Sequence, residues 1–185
     1  QLKIKQMKKL AFFLVMLFPL LAMAQWPSNV TVVESKSNDS VTVSGDLSSG
    51  ALMEDISWAA NSSNACFVAT QNTKYRGNHV LFATSLPPRS IMTITVTPTD
   101  AEGNLSIYGY MLGATEYRVV PNLPSCITCE ADFKWDRPVK NRVQTSERKI
   151  EFQNPTQNTY NIVIGVAAPK DVTTGQFNLK IKLKS

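Results

Sequence analysis

The chain has 185 residues, 43% hydrophobic and 18% charged, with 19 basic and 14 acidic side chains, one histidine and three cysteines. Its formal charge of +5 rests on Lys3, Lys5, Lys8 and Lys9; without them 15 basic and 14 acidic residues remain, a net of +1. That balance gives no support to nucleic-acid binding, which calls for a sustained basic patch, and the remaining length suits one domain with a core of its own.

In chain order, the first element is a leader. Met7 is followed by Lys8 and Lys9, then by an uncharged apolar stretch at 10–24 interrupted by Pro19 and closed by Ala22-Met23-Ala24. A basic start, a short apolar run and small residues at the end read as a cleaved secretory signal of bacterial Sec type, with cleavage after Ala24. Fifteen apolar residues broken by a proline fall short of the roughly 18 to 20 that span a bilayer. Gln25, where a lipoprotein would carry a cysteine, offers no atom for lipid attachment. The expected location is therefore periplasmic or secreted, without a membrane anchor, and residues 1–6 are set aside as preceding the natural start.

Residues 25–50 read as a lead-in segment or as added strands, with weak strand patterns at 30–33 and 41–44, and a β-sandwich domain is expected over 45–185. Further weak strands are predicted at 51–57, 79–84, 116–120 and 148–152. Clearer are the period-2 segments, which put one face on a core and one in water. Met92, Ile94 and Val96 alternate with threonines, and Leu105, Ile107, Gly109 and Met111 alternate with Ser106, Tyr108 and Tyr110. Tyr160, Ile162, Ile164 and Val166 form a third set, and Phe177, Leu179, Ile181 and Leu183 a fourth. Lys180, Lys182 and Lys184 on the other face of the last strand suit an exposed edge, where charge discourages pairing with a second molecule. The connection at 167–174, with Pro169 and Asp171 and closed by Gly175, reads as a hairpin loop. Many short strands punctuated by turns, with no helical period beyond two turns, give an all-β fold: a single antiparallel β-sandwich. One region resists the pattern, residues 121–144, with three prolines and two cysteines; a loop of that length is commonly functional or cross-linked.

The runs Leu86-Pro87-Pro88-Arg89-Ser90-Ile91-Met92-Thr93-Ile94-Thr95-Val96 and Asn104-Leu105-Ser106-Ile107-Tyr108, with Asn154-Pro155, Ile162-Val163-Ile164-Gly165-Val166 and Gly175-Gln176-Phe177-Asn178-Leu179, resemble the bacterial pre-peptidase C-terminal domains. The resemblance implies a jelly-roll-like sandwich of non-catalytic character. Such domains are usually appended to secreted peptidases, and this sequence departs from that context. It also implies a possible calcium site, because some members bind calcium through acidic residues near strand ends. Here the candidates are Asp100, Glu102 and Asn104, although Asn104 stands where the family's "D-L-Y" strand has its acid. No other cofactor is implied.

Three constellations carry chemistry. Cys66, Cys126 and Cys129 in an oxidising compartment favour a disulfide, either a short Cys126–Cys129 ring or a bridge from Cys66 that pins the long loop. Zinc and thiol exchange fit poorly: the spacing to His79 matches no usual zinc module, and no strand-to-helix unit surrounds the C-x-x-C. A hydrolytic triad would have to use His79 as its base, and no G-x-S-x-G elbow is present, so no catalytic residue is assigned. Tyr108 and Tyr110, side by side on the polar face of their strand, either form a sugar-stacking platform or pack beneath the amino-terminal segment, the second being favoured. Trp135, Asp136 and Arg137 are the most distinctive candidates in the long loop. The sequence thus points to an exported, non-enzymatic binding or accessory module for an extracytoplasmic protein or glycan. The alternatives are a surface-assembly protein that self-associates through edge strands and a calcium-stabilised module.

Overall fold

Alternating Val, Ile, Leu, Phe and Thr build the strands β1 (Val30–Val32), β2 (Ser40–Asp46), β3 (Ala51–Leu52), β4 (Asn78–Leu86), β5 (Ser90–Pro98), β6 (Ser106–Gly113), β7 (Thr128–Glu130), β8 (Arg148–Asn154), β9 (Tyr160–Ala167) and β10 (Gln176–Lys184). The computed structural model describes residues 25–59, 67, 70–123, 125–131, 133, 140 and 145–185. The leader at 1–24, Cys66, and Trp135, Asp136 and Arg137 lie outside the described residues. Among the described residues, no helix is long and apolar enough to cross a membrane.

The strands form the expected all-β sandwich. One sheet runs β1-β4-β9-β6-β7, with β3 also pairing along β4, and the other runs β2-β10-β5-β8. Pairing is antiparallel except where β1 lies parallel to β4, Val30 opposite Leu81. Between the sheets, Met92, Ile94, Val96, Phe177, Leu179, Ile181 and Leu183 meet Phe82, Ile107, Ile164 and Val166. Every second residue of β10 and β5 enters this layer, which is why their period-2 pattern is so legible.

The connectivity differs from the sequence reading in two places. From β4 onward the chain changes sheet at almost every connection, so β9 and β10 do not form a hairpin: they belong to different sheets. Eight residues are ample to cross the roughly 10 Å between stacked sheets, whereas hairpin loops commonly take about 2 to 5. The crossing is held by backbone bonds from Gly77 N to Ala168 O and from Lys170 N to Thr73 O, not by a tight turn. Nor is β10 an edge. The lead-in strand β2 occupies its free side, from Asp46 opposite Gln176 to Ser40 opposite Lys182, and β5 occupies the other. Alternating lysines mark a solvated face equally well in either position.

Smaller differences follow from burial. Residues 116–120 form no strand: Glu116 N closes a turn onto Gly113 O, and Val119 and Val120 instead pack over the outside of the first sheet. The strand expected at 51–57 stops at Leu52 and gives way to a 3-10 turn at Ser57–Ala59. The 121–144 region is not wholly irregular, since β7 pairs with β6, Cys129 opposite Tyr108. Phe133 within it is fully buried, with the Lys74 Nζ 5.0 Å and the Arg148 guanidinium carbon 5.7 Å from its ring centre.

Candidate functional site

The outer face of the first sheet carries the tyrosines, the histidine and two of the cysteines singled out in the sequence, and it is closed. Ile56, Ala59, Phe67 and Tyr75 from the β3–β4 connection, with Val119, Val120, Leu123 and Cys126 from the β6–β7 connection, cover Leu81, Tyr108, Tyr110, Val163 and Ala167 in a second apolar cluster. Tyr108 and Tyr110 are therefore 0% and 1% exposed. They cannot serve as a sugar platform; they anchor the covering loops. The Tyr108 ring lies over Gly165 on the neighbouring strand, where a Cβ would come within 2.0 Å of the ring. Only glycine leaves that space.

His79 shares this interior. Its Nε2 lies 2.5 Å from the Tyr75 carbonyl oxygen and its Nδ1 2.8 Å from the Tyr108 hydroxyl. A carbonyl can only accept, so Nε2 carries the proton and the Tyr108 O–H donates to bare Nδ1. Burial pushes the imidazole down to about 4, with the Tyr75 carbonyl opposing that shift, while burial raises Tyr108 well above its ordinary range. A neutral, two-bonded, enclosed histidine has no path to a substrate. Nearby, Cys126 is a reduced, buried thiol whose Sγ reaches the Thr128 carbonyl at 3.0 Å. The Cys126–Cys129 ring is therefore not formed; Cys126 is turned into the aromatic cluster, and it is Cys129 that is disulfide-bonded.

An open groove lies at one end of the sandwich. With a volume of about 550 Å³, it runs between the turn that follows β5 and the crossing from β9 to β10. Leu47, Pro98, Leu105, Pro169 and Val172 give it apolar walls, and Asp100, Glu102, Asn104 and Lys170 also line it. Backbone geometry fixes both sides. Thr99 N donates to Gln176 O and Leu47 N to Gly175 O, at 2.8 and 2.9 Å. Buried Asn78 donates from its side chain to the carbonyls of Leu47 and Thr173. Gly175, at φ +145, takes a conformation that other residues rarely adopt. Asp100, Glu102 and Asn104 are thus brought together on one groove, but Asp100 Oδ1 accepts the Glu102 backbone N–H at 3.0 Å, a capped turn of the Asx kind. Among the described residues no group of three His, Cys, Asp or Glu side chains is placed to hold a metal.

No family model matches the chain, and no curated protein matches it in sequence. Similar solved structures include the periplasmic inhibitor of g-type lysozyme, PliG, from Aeromonas hydrophila, at a TM-score of 0.39 and 10% identity over 84% of this chain and 97% of that one. They also include the pre-peptidase C-terminal domain of a Bacillus anthracis collagenase, at 0.37 and 8% identity over 85% and 99%. A third is the surface-associated copper-binding protein CorA of Methylomicrobium album, at 0.38 and 12% identity over 83% and 98%. The collagenase domain is of the kind whose strand pattern the residues resemble.

The groove was only partly legible beforehand. Asp100, Glu102 and Asn104 stand out as a D-x-E-x-N turn, but most of the opposite wall falls in the 167–174 connection, which reads as a hairpin loop closed by Gly175. The usable signal was the loop's length, too great for a tight turn.

Proposed function

We propose that the protein is an exported, non-catalytic binding module, and that the groove at the end of the sandwich takes a segment of an extracytoplasmic protein or glycan. The observation that carries this reading is the groove itself: a recess of about 550 Å³ with apolar walls and charged residues of both signs, on backbone fixed from two sides. Ligand sites are commonly such concave, largely preformed surfaces with a few placed polar groups. Just past the long loop, Ser146 Oγ donates to the Ala101 carbonyl of the groove turn at 2.5 Å. Trp135, Asp136 and Arg137, outside the described residues, are kept as candidate ligand contacts on the sequence alone. The thiol and imidazole chemistry that an enzyme would use is enclosed, which supports a binding role.

The disulfide belongs to the same reading. Cys126 is reduced and Cys129 is bonded, and the chain's remaining cysteine is Cys66. We take Cys66 as the partner, so that one bridge staples the β3–β4 connection to β7 across the aromatic cluster.

The test is an NMR titration of the oxidised protein with a panel of neutral and charged oligosaccharides and short peptides, with and without calcium. Binding in the groove moves amide signals of 99–105 and 170–176, and Val172→Glu, which puts a carboxylate on an apolar wall, weakens it by about tenfold or more without lowering Tm. Shifts confined to other surfaces, or full affinity in Val172→Glu, would overturn the assignment. Identical melts with calcium and with chelator would remove calcium from the account, since a ligand of the native state must raise its stability.

A further inference from the structure

The outward face of the second sheet has a charge distribution that folding does not require. Its four strands present Ser40, Thr42 and Ser44 from β2, Asn178, Lys180, Lys182 and Lys184 from β10, Thr93, Thr95 and Thr97 from β5, and Lys149, Glu151 and Gln153 from β8. Register sets them in rows: Thr42, Lys180, Thr95 and Lys149 in one, Ser40, Lys182, Thr93 and Glu151 in the next, Ser44, Asn178 and Thr97 on one side and Lys184, Ile91 and Gln153 on the other.

Because β10 is central, three lysines stand about 7 Å apart down the middle of a broad face, flanked on both sides by columns of hydroxyls about 5 Å away. Among the described residues, none of Lys149, Lys180, Lys182 and Lys184 makes an ion pair or a side-chain hydrogen bond. Against these four charges the face sets Glu151, whose carboxylate accepts from Gln153 at 2.9 Å, and Asp46 at the far end, whose carboxylate caps Ser48 N. Residues 25–185, with 15 basic and 14 acidic side chains, thus gather an unbalanced positive stripe on one flat surface, and edge protection does not account for it.

We infer that this face binds a linear acidic polysaccharide, with the β10 lysines pairing to carboxylates spaced along the polymer and the flanking Ser and Thr hydroxyls exchanging hydrogen bonds with sugar hydroxyls. Charge complementarity and the hydroxyl columns select this occupant. A single-stranded nucleic acid would call for aromatic rings to stack on, and the outward residues of these strands offer none, while a duplex would draw on the same lysines without using the hydroxyl columns. A membrane surface would call for apolar residues to insert, and Ile91, 39% exposed, is the lone large one. The site is separate from the proposed groove and stands or falls independently of it.

The test measures binding of the oxidised, full-length mature protein to alginate, with neutral dextran, duplex DNA and phosphatidylglycerol vesicles as comparisons. Alginate is expected to bind, with affinity falling as salt rises, and dextran to bind at least tenfold more weakly. Lys180→Gln, Lys182→Gln and Lys184→Gln combined should reduce alginate affinity tenfold or more with Tm unchanged. Thr93→Val with Thr95→Val, which keeps every charge, should reduce it about threefold, and the groove variant Val172→Glu should leave it intact. Absence of alginate binding, full binding by the triple variant, or DNA or vesicles binding as tightly as alginate would overturn the inference.

Discussion

Tyr108 and Tyr110 are two residues apart on one strand, equally buried and in the same ring cluster, yet their hydroxyls differ. Tyr108 donates to His79, whereas among the described residues the buried hydroxyl of Tyr110 has no hydrogen-bond partner. Removing a bonded hydroxyl strands its acceptor and costs about 1–3 kcal/mol, whereas removing an unsatisfied one relieves a desolvation cost. Tyr108→Phe should therefore lower Tm by several degrees, and Tyr110→Phe should leave it level or raise it slightly, in parallel thermal melts. Equal losses would mean that the hydroxyls do the same thing. The sequence placed both rings on one face, and the favoured reading, that they are covered, matches their burial. The expected cover, the amino-terminal segment, is not the main one: Phe67, Tyr75 and Cys126 come from the β3–β4 and β6–β7 connections, irregular segments with no period to read, and the amino-terminal segment adds only partly buried Trp26 and Val30.

At the scale of elements, β5, β6, β9 and β10 were legible because their inward residues all enter a dry layer. The lead-in strands were weaker: β1 is three residues long and β2 exposes alternate Ser and Thr. Pairing was the part that failed. Periodicity reports which face of a strand is buried and carries nothing about its neighbour, so a crossing read as a hairpin and a central strand read as an edge. The short strand β7 is half-buried and paired along three residues of β6. A Cys66–Cys129 bridge would close a loop of about 60 residues and contribute about 4 kcal/mol in the chain-entropy account. Digestion without reductant should yield a peptide pair joining Cys66 to Cys129, with Cys126 alkylated only after unfolding. A Cys126-containing bridge would refute the pairing.

For the molecule as a whole, the enclosed imidazole sets an acid limit. His79 is held down to about 4 by burial in the native state, against an ordinary value of 6.5. Above pH 6.5 it is neutral both folded and unfolded and adds no pH dependence. Between 6.5 and about 4 the unfolded chain takes up a proton that the native state refuses, so stability falls with pH, by on the order of 3 kcal/mol across the window. Denaturant titrations of the wild type should show this slope, and His79→Gln should flatten it; an unchanged slope would place the titrating group elsewhere.

Chain order and spatial order diverge in the second sheet: the strand that joins β2 to β5 is β10, which follows both in sequence. Until residues 176–184 arrive, the β2 and β5–β8 portions of that sheet have no strand between them and the inter-sheet layer lacks Phe177, Leu179, Ile181 and Leu183. Residues 176–184 are therefore the keystone of the fold: without them neither the second sheet nor the layer between the sheets is complete.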